Sequence, residues 1–136
     1  MQRDNADYFS DNKYIKELVP SDFDKSKPWK LLPLPGRKDK TCGMVLFYAP
    51  WCPHCKNVAP IWNESASITG FCDWFALNCE KHKAHVLKIK ESMPNLIDGY
   101  PTMVYYKDGE PLSTFSDNPT TENLLNMCAN NCKHEG

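Results

Sequence analysis

The sequence lacks a long hydrophobic run, an excess of charge of either sign and an internal repeat. Its longest apolar run is far shorter than the roughly 20 residues that cross a bilayer, so we expect no membrane span. Its 16 basic residues nearly balance its 17 acidic residues and are scattered among them, giving a net charge of −1. Because nucleic-acid-binding proteins carry a clustered basic surface, we expect no nucleic-acid partner.

Targeting signals are also missing from the sequence. Residues 1–7 contain no apolar segment of the kind a secretory signal needs, and the last four residues, KHEG, are not an ER-retention signal. If Met1 is the native start, we expect a cytosolic or particle-associated protein. If a leader was removed, the ER lumen or the periplasm is expected instead. Seven cysteines fit either compartment, because cysteines serve as staples in secreted domains and as reactive groups in cytosolic ones.

The chain is long enough for one domain with a proper core, having 136 residues of which 41% are hydrophobic. We expect residues 1–12, rich in Asp and Asn, to form a flexible arm and residues 13–136 to form the domain. Residues 28–36 carry three prolines and a glycine, which disfavours a regular helix. This proline-rich loop is either a divergent connector or a docking surface, and its expected packing residues are Trp29, Leu31, Leu32 and Leu34.

The clearest motif is a pair of cysteines two residues apart, in the run YAPWCPHCK at residues 48–56. Residues 44–48 form a continuous apolar run, which predicts a strand buried on both faces of a sheet. The following apolar residues recur at helical spacing: Cys55, Val58, Ala59, Trp62 and Ala66. We therefore expect Cys52 at the N-terminus of a helix, where the helix dipole and unpaired N–H groups favour the thiolate. Cys55, one turn further and more buried, would be the resolving thiol.

This motif is followed by Pro60 inside the helix and later by Gly-Tyr-Pro-Thr at residues 99–102. With these residues the chain resembles the thioredoxin superfamily, most closely the catalytic domains of protein disulfide isomerases, from about Tyr14 to the last helix. The resemblance implies a thioredoxin-like α/β fold with a mixed central β-sheet flanked by helices. It also implies a thiol–disulfide oxidoreductase that acts on protein thiols and disulfides, works with a redox partner and needs no external cofactor.

The two residues between the cysteines, Pro53 and His54, should set how oxidising the pair is. A protonated His54 adds positive charge near the Cys52 thiolate, and stabilising the reduced form makes the disulfide a stronger oxidant. Pro53 removes a backbone donor and stiffens the turn. The quartet Cys-Pro-His-Cys resembles that of strongly oxidising periplasmic relatives, so we expect an oxidant or isomerase rather than a general reductant.

The resemblance assigns substrate binding to residues on both sides of the dithiol. In the family, the bond that corresponds to Tyr100–Pro101 is cis and lies against the cysteines. The Tyr100 backbone would then pair with an extended substrate peptide, a mode that gives affinity without sequence preference. Trp51 and Tyr100 would form the apolar lip of the groove, and Thr102 completes the motif.

The chain departs from the family at one buried position. Disulfide isomerases and thioredoxins keep a carboxylate six residues before the first cysteine, where this sequence has Leu46. The lysine that accompanies this carboxylate in thioredoxins is expected to be replaced by Ala76. A buried acid there can accept the proton of the resolving thiol. Its absence predicts slower turnover, or another base serving Cys55, and favours the thiolate form of the pair.

The remaining chain predicts further elements in the order expected for this fold. Before the motif we expect a strand at 14–19 and a turn or helix start capped by Ser21. The helix at 52–68 should be capped by Gly70 and followed by a strand at 71–79 and by a helix at 81–92 with a lysine-rich outer face. The last elements are a hairpin at 103–115 that turns at Asp108-Gly109 and a helix that has Asn118 as its cap and ends at about 131.

Five cysteines remain outside the motif. Cys128 and Cys132 share a helix face, and a disulfide between them would need helix distortion. Cys79 aligns with a cysteine that isomerase domains sometimes carry after this strand. Cys42 and Cys72 are interpreted as free cysteines buried in the core.

Two rival functions follow from the same residues. The cysteines and histidines at 79–85 and 128–134, or Cys52 and Cys55 themselves, could bind zinc in a metal-binding module. Because the two clusters lie on elements that the fold places apart, we expect no metal site. The other rival is a redox-silent peptide-binding domain, acting as a chaperone or adaptor, and the intact pair Cys52 and Cys55 argues against it.

Overall fold

Seven consecutive buried residues, Cys42–Tyr48, form the central strand of a five-stranded sheet. The computed structural model describes residues 6–33 and 42–132. In chain order the elements are β1 (Ile15–Glu17), a short 3-10 helix (Pro20–Asp22), β2 (Cys42–Tyr48), α1 (Pro53–Ser67), β3 (Asp73–Asn78), α2 (Lys83–Ser92), β4 (Thr102–Lys107), β5 (Glu110–Thr114) and α3 (Thr121–Asn131). This order confirms the predicted succession of elements.

The sheet is mixed, with the strand order β1-β3-β2-β4-β5. β1, β3 and β2 run parallel, while β4 runs antiparallel to β2 and β5 antiparallel to β4. Alternate residues of β2 enter two separate cores. Leu46 belongs to the core that includes residues of α1 and α3, and Phe47 to the core that includes residues of α2. The predicted mixed α/β sheet covered on both faces is therefore confirmed. None of the helices within the described ranges is long and apolar enough to span a membrane.

The predicted primed turn closes the β4–β5 hairpin. Asp108 and Gly109 both have positive φ, at 53° and 86°. A Cβ atom at Gly109 would lie 2.3 Å from the carbonyl oxygen of Leu31, so the proline-rich loop and the hairpin can meet only at a glycine. The N–H of Leu31 donates to the Gly109 carbonyl at 2.9 Å.

The proline-rich loop is described as far as residue 33. Leu31 is buried and Trp29 packs against the same core, as predicted. Leu32 is 43% exposed, so its predicted packing role is wrong. The predicted packing of Leu34 lies outside the described residues.

Three predicted caps are wrong, because the helices begin or end at other residues than the sequence indicated. At the 3-10 helix, the carboxylate of Asp22, not Ser21, accepts the N–H of Val19 at 2.8 Å. At α3, the hydroxyl of Thr120, not Asn118, accepts the N–H of Asn123 at 3.1 Å. The other corrected cap is at the end of α1, where Ile68 takes the C-cap position instead of Gly70.

The residues preceding β1 pack against the domain. The Tyr8 ring stacks on the Tyr48 ring with centroids 4.4 Å apart, and the Tyr8 hydroxyl donates to the Pro50 carbonyl at 2.8 Å. Phe9 is only 6% exposed. The division of the chain after residue 12 stays a prediction, while Tyr8 and Phe9 pack against the core.

Two disulfides fasten the C-terminal helix to the sheet. Cys42 pairs with Cys132 across 90 residues, and Cys72 with Cys128 across 56. Cys42 and Cys72 are buried in the core as predicted, but they are disulfide-bonded and not free. The reason is that the end of α3 lies beside the starts of β2 and β3, a proximity that spacing along the chain does not reveal.

Candidate active site

Cys52 lies between the end of β2 and the start of α1 and is the N-cap residue of that helix. Its sulfur accepts the backbone N–H of Cys55 at 3.4 Å. Pro53 occupies the first helical position, where a missing N–H leaves no hydrogen bond unmade. Pro53 and His54 are exposed on the first turn, so both face the solvent beside the dithiol. This arrangement places an acceptor sulfur at the positive end of the α1 dipole.

Cys55 lies on the inner face of α1 and is completely buried. Burial raises the pKa of its thiol to about 12, with an opposing contribution from the Ala49 backbone and a further increase from Cys52. Cys52, at 6% exposure, is the more accessible of the two sulfurs. The two cysteines therefore differ in the way that an attacking and a resolving thiol differ.

Tyr100 and Pro101, which lie far from the dithiol in sequence, meet it in the fold. The Tyr100–Pro101 peptide bond is cis. The Cys52 thiol donates to the Tyr100 carbonyl at 3.6 Å. Tyr100 is half-buried and Trp51 is 38% exposed, so aromatic surface remains accessible beside Cys52.

Thr102 plays a different part from its neighbours. Its side chain is buried and its hydroxyl donates to the Gly99 carbonyl at 2.6 Å. Gly99 has a φ of 106°, which a residue with a side chain rarely adopts. Thr102 therefore closes the turn that carries Tyr100 and Pro101, and its role in substrate binding stays a prediction.

The position of the missing carboxylate is filled by apolar side chains. Leu46 and Ala76 are fully buried and are Cα partners in β2 and β3. The same row continues into β1, where Glu17 is the Cα partner of Ala76. A half-buried acid whose Oε1 atom is shielded from solvent is thus present in the sheet, but two strands away from the family position.

Glu17 was not singled out from the sequence, although a signal was available. Ile15 is fully buried on the same strand, and alternation places Glu17 on the same inward face. The Tyr48 hydroxyl and the Phe9 N–H both donate to its Oε2 atom. Burial raises the pKa of Glu17 to about 7, a change that the Tyr48 hydrogen bond opposes and the charge of Asp7 reinforces.

The cysteine and histidine clusters do not assemble into a metal centre among the described residues. Cys128 and Cys132 are both disulfide-bonded, and His134 lies outside the described ranges. His85 directs its Nε2 atom to the Pro28 carbonyl at 3.0 Å. Three of the zinc ligands considered from the sequence, Cys128, Cys132 and His85, are therefore engaged with other groups.

A dithiol at a helix N-terminus beside a cis-proline, on a sheet of this topology, defines the class of thioredoxin-fold proteins. The family model for thioredoxin matches residues 37–130, and the chain belongs to the thioredoxin family.

Curated relatives place the chain near the domains of protein disulfide isomerases. It is 36% identical over 93 residues to the protein disulfide-isomerase of Aspergillus niger, a match that covers 67% of this chain and 18% of that protein. It is 35% identical over 88 residues to protein disulfide-isomerase A5 of Bos taurus, covering 61% and 16%. The chain therefore spans less than a fifth of the length of these two relatives.

Solved structures support the fold. The J-Trx1 fragment of ERdj5 superimposes with a TM-score of 0.66 at 22% identity, covering 90% of this chain and 51% of that one. Human ERp44 superimposes with a TM-score of 0.64 at 16% identity, covering 88% and 30%. These values establish a shared architecture.

Proposed function

We propose that the chain is a thiol–disulfide oxidoreductase domain that exchanges disulfides with protein substrates through Cys52 and Cys55. The observation that carries this proposal is the position of the Cys52 sulfur. It accepts a hydrogen bond from the Cys55 N–H and donates one to the Tyr100 carbonyl at the cis-proline turn. Membership of the thioredoxin family and similarity to disulfide-isomerase domains support the same class of reaction.

In the reductive direction, the Cys52 thiolate attacks one sulfur of a substrate disulfide. A mixed disulfide forms and the other substrate sulfur leaves as a thiolate. Cys55 then attacks the Cys52 sulfur and its proton passes to the departing second substrate sulfur, which is released as a thiol and leaves a Cys52–Cys55 disulfide. In the oxidative direction the same steps run in reverse. A partner dithiol or disulfide must then restore the starting state of the pair.

The substrate would lie along the Tyr100–Pro101 turn as an extended peptide. The backbone before the cis-proline faces Cys52 through the Tyr100 carbonyl, and the exposed part of Trp51 lies beside it. A peptide held by main-chain hydrogen bonds is bound without strong sequence preference. This mode suits an enzyme that acts on many protein thiols.

The pair should act as an oxidant or isomerase rather than a general reductant. His54 lies exposed on the first turn of α1, between the two cysteines in sequence. A protonated imidazole so close to a thiolate stabilises it. Leu46 removes the buried negative charge that would oppose the thiolate. Both features favour the reduced form of the pair, which raises its reduction potential.

The two disulfides favour an oxidising compartment for this domain. Cys42–Cys132 and Cys72–Cys128 would persist in the ER lumen, the periplasm or outside the cell, and would be reduced in most cytosols. This supports the leader-removed alternative considered from the sequence.

The decisive experiment is equilibration of the protein in glutathione buffers, followed by alkylation and mass analysis of the number of blocked thiols. We expect a single two-thiol transition with a potential of about −180 mV or higher. The Cys55→Ser variant should lose this transition, while Cys79→Ser, a matched change at a buried cysteine outside the motif, should retain it.

Two other results would contradict the proposal at different levels. A potential near about −270 mV would identify a reductase and refute the oxidant preference. Absence of any transition would refute the enzyme and favour a redox-silent peptide-binding domain.

A further inference from the structure

The segment before β1 reaches the turn that leads into Cys52 through one side chain. The Tyr8 hydroxyl donates to the Pro50 carbonyl at 2.8 Å and lies 3.4 Å from the carbonyl oxygen of Ala49. The same Ala49 carbonyl accepts the Cys52 N–H at 3.0 Å, which closes the turn of residues 49–52. Tyr8, which is 42 residues from Pro50 along the chain, therefore bonds to the backbone just before the candidate nucleophile.

The Tyr8 side chain is itself held against the central strand. Its ring stacks on the ring of the fully buried Tyr48, with centroids 4.4 Å apart and planes 19° from parallel. Its backbone N–H donates to the Tyr48 hydroxyl at 3.1 Å, and that hydroxyl in turn donates to the carboxyl group of Glu17. Because Tyr48 is the last residue of β2, these contacts fix Tyr8 relative to the centre of the sheet.

The residues on either side fasten the same segment, residues 7–9, which we call the N-terminal strap. Asp7 accepts the side-chain amide of the fully buried Asn78 at 3.0 Å. The N–H of Phe9 donates to the Glu17 carboxyl group at 3.0 Å. The N-terminal strap is thus bonded to the sheet on both sides of the tyrosine, so its hydroxyl is held beside the turn before any substrate arrives.

The turn of residues 49–52 determines where the Cys52 sulfur lies. That sulfur accepts the Cys55 N–H at 3.4 Å and donates to the Tyr100 carbonyl at 3.6 Å. Exchange requires the attacking sulfur to be aligned with the substrate disulfide, and a displacement of about 1 Å can cost about a hundredfold in rate. Restraining the two carbonyls before Cys52 therefore restrains the sulfur that reacts.

We propose that Tyr8 is a positioning residue for Cys52, and that the N-terminal strap holds its hydroxyl against the turn of residues 49–52. The inference rests on the proposed function and deepens it. Loss of the hydroxyl should slow attack by Cys52 on a peptide disulfide, because the sulfur then spends less time in the reactive position. It should leave binding of the peptide unchanged, since the hydroxyl is bonded to the protein's own backbone.

The test compares two variants that each lose one tyrosine hydroxyl bonded to a backbone carbonyl. Tyr8→Phe keeps the ring that stacks on Tyr48 and removes the bond to the turn. Tyr106→Phe is the matched control, because the Tyr106 hydroxyl donates to the Trp29 carbonyl at 3.0 Å and belongs to the core that includes residues of α2.

Both changes are made in a Cys55→Ser background, where the mixed disulfide accumulates and attack by Cys52 is measured alone. Release of the first peptide thiol gives the limiting rate and the half-saturating concentration of a peptide disulfide. We expect Tyr8→Phe to lower the limiting rate by between about twofold and tenfold, the effect of one hydrogen bond, at an unchanged half-saturating concentration. Tyr106→Phe should change neither. An unchanged limiting rate in Tyr8→Phe, or an equal loss in Tyr106→Phe, would overturn the inference.

A double-mutant cycle tests the role of the N-terminal strap. Asp7→Ala removes the carboxylate that Asn78 holds, and should lower the limiting rate of the Cys55→Ser protein. Once Tyr8→Phe is present, the same change should lower the rate no further, since Asp7 acts through the tyrosine hydroxyl. Equal losses in the two backgrounds, or no loss in either, would refute the role of the strap.

The inference can fail separately from the proposed function. If the Cys55→Ser protein forms no mixed disulfide, amide hydrogen exchange at Cys52 decides the question, because its N–H is held by the Ala49 carbonyl beside the Tyr8 hydroxyl. Faster exchange at Cys52 in Tyr8→Phe than in Tyr106→Phe supports a positioning contact. Equal exchange rates in the two variants refute it.

Discussion

Glu17 should make the folded protein less stable as the pH rises through neutrality. Its carboxyl group is buried in β1 and has its pKa raised from 4.5 to about 7, with burial as the largest cause. The protonated form is therefore preferred in the native state, whereas the unfolded chain ionises at its ordinary pKa. Between these two values the native state binds one more proton than the unfolded state, so the free energy of unfolding falls as pH increases.

The size of the effect follows from the shift. Each pKa unit corresponds to about 1.4 kcal/mol, so a rise from 4.5 to about 7 removes at most about 3 kcal/mol of stability. The full stability is present below about pH 4.5 and is lost by about pH 8. Glu17→Gln does not titrate, so the difference between its free energy of unfolding and that of the wild type should shift in favour of the variant as the pH rises.

The measurement is denaturant unfolding of both proteins from about pH 4 to pH 8 without reductant, comparing midpoints at equal m-values. Every other titrating group is common to the two proteins and cancels in the difference. The Oε1 atom of Glu17 has no hydrogen-bond partner among the described residues, so the amide group of Gln adds a penalty. That penalty is the same at every pH and leaves the slope of the difference intact.

Two neighbouring variants should move the effect in opposite directions. Asp7→Asn removes a negative charge that raises the pKa of Glu17 in the folded state, so the loss of stability should end at a lower pH and be smaller. Tyr48→Phe removes the hydrogen bond that favours the ionised carboxylate, so the loss should extend to higher pH. Parallel stability curves for wild type and Glu17→Gln would refute the reasoning.

Two further predictions concern the frame of the domain. Gly109→Ala places a Cβ atom 2.3 Å from the Leu31 carbonyl oxygen, in a backbone of positive φ. It should lower the free energy of unfolding, measured by denaturant melts, by about 2 kcal/mol or more. An unchanged free energy of unfolding would contradict the close approach of Leu31 to Gly109. The double variant Cys72→Ala/Cys128→Ala opens a disulfide across 56 residues, and should lose about 2–4 kcal/mol in non-reducing melts. That difference should disappear in excess dithiothreitol, and a difference that persists there would show a packing effect instead.

Local patterns in the sequence were sufficient to predict most elements and the dithiol. The apolar run of β2, the helical spacing from Cys55 to Ala66 and the Asp108–Gly109 turn each depend on residues that are neighbours along the chain. The position of Cys52 at a strand-to-helix junction follows from the same local periodicities. The cap predictions failed where two nearby polar side chains competed, as Asn118 and Thr120 do before α3.

The rest of the candidate site was decided by which elements lie side by side. The contact between Cys52 and the Tyr100 carbonyl spans 48 residues, and the hydrogen bond from Tyr48 to Glu17 spans 31. The pairing of four cysteines in two disulfides depends likewise on the packing of α3 beside the starts of β2 and β3.

The sequence by itself therefore determined the position of Cys52 and Cys55 at a strand-to-helix junction, because the strand, the helix and the two cysteines are encoded within one continuous stretch. The tertiary structure alone decided what surrounds these cysteines: Leu46 and Ala76 paired across β2 and β3, Glu17 two strands from Leu46, and the Tyr100 carbonyl beside Cys52. The physical reason is that burial, charge and hydrogen bonding act through space, and strand order brings together residues whose separation along the chain carries no such information.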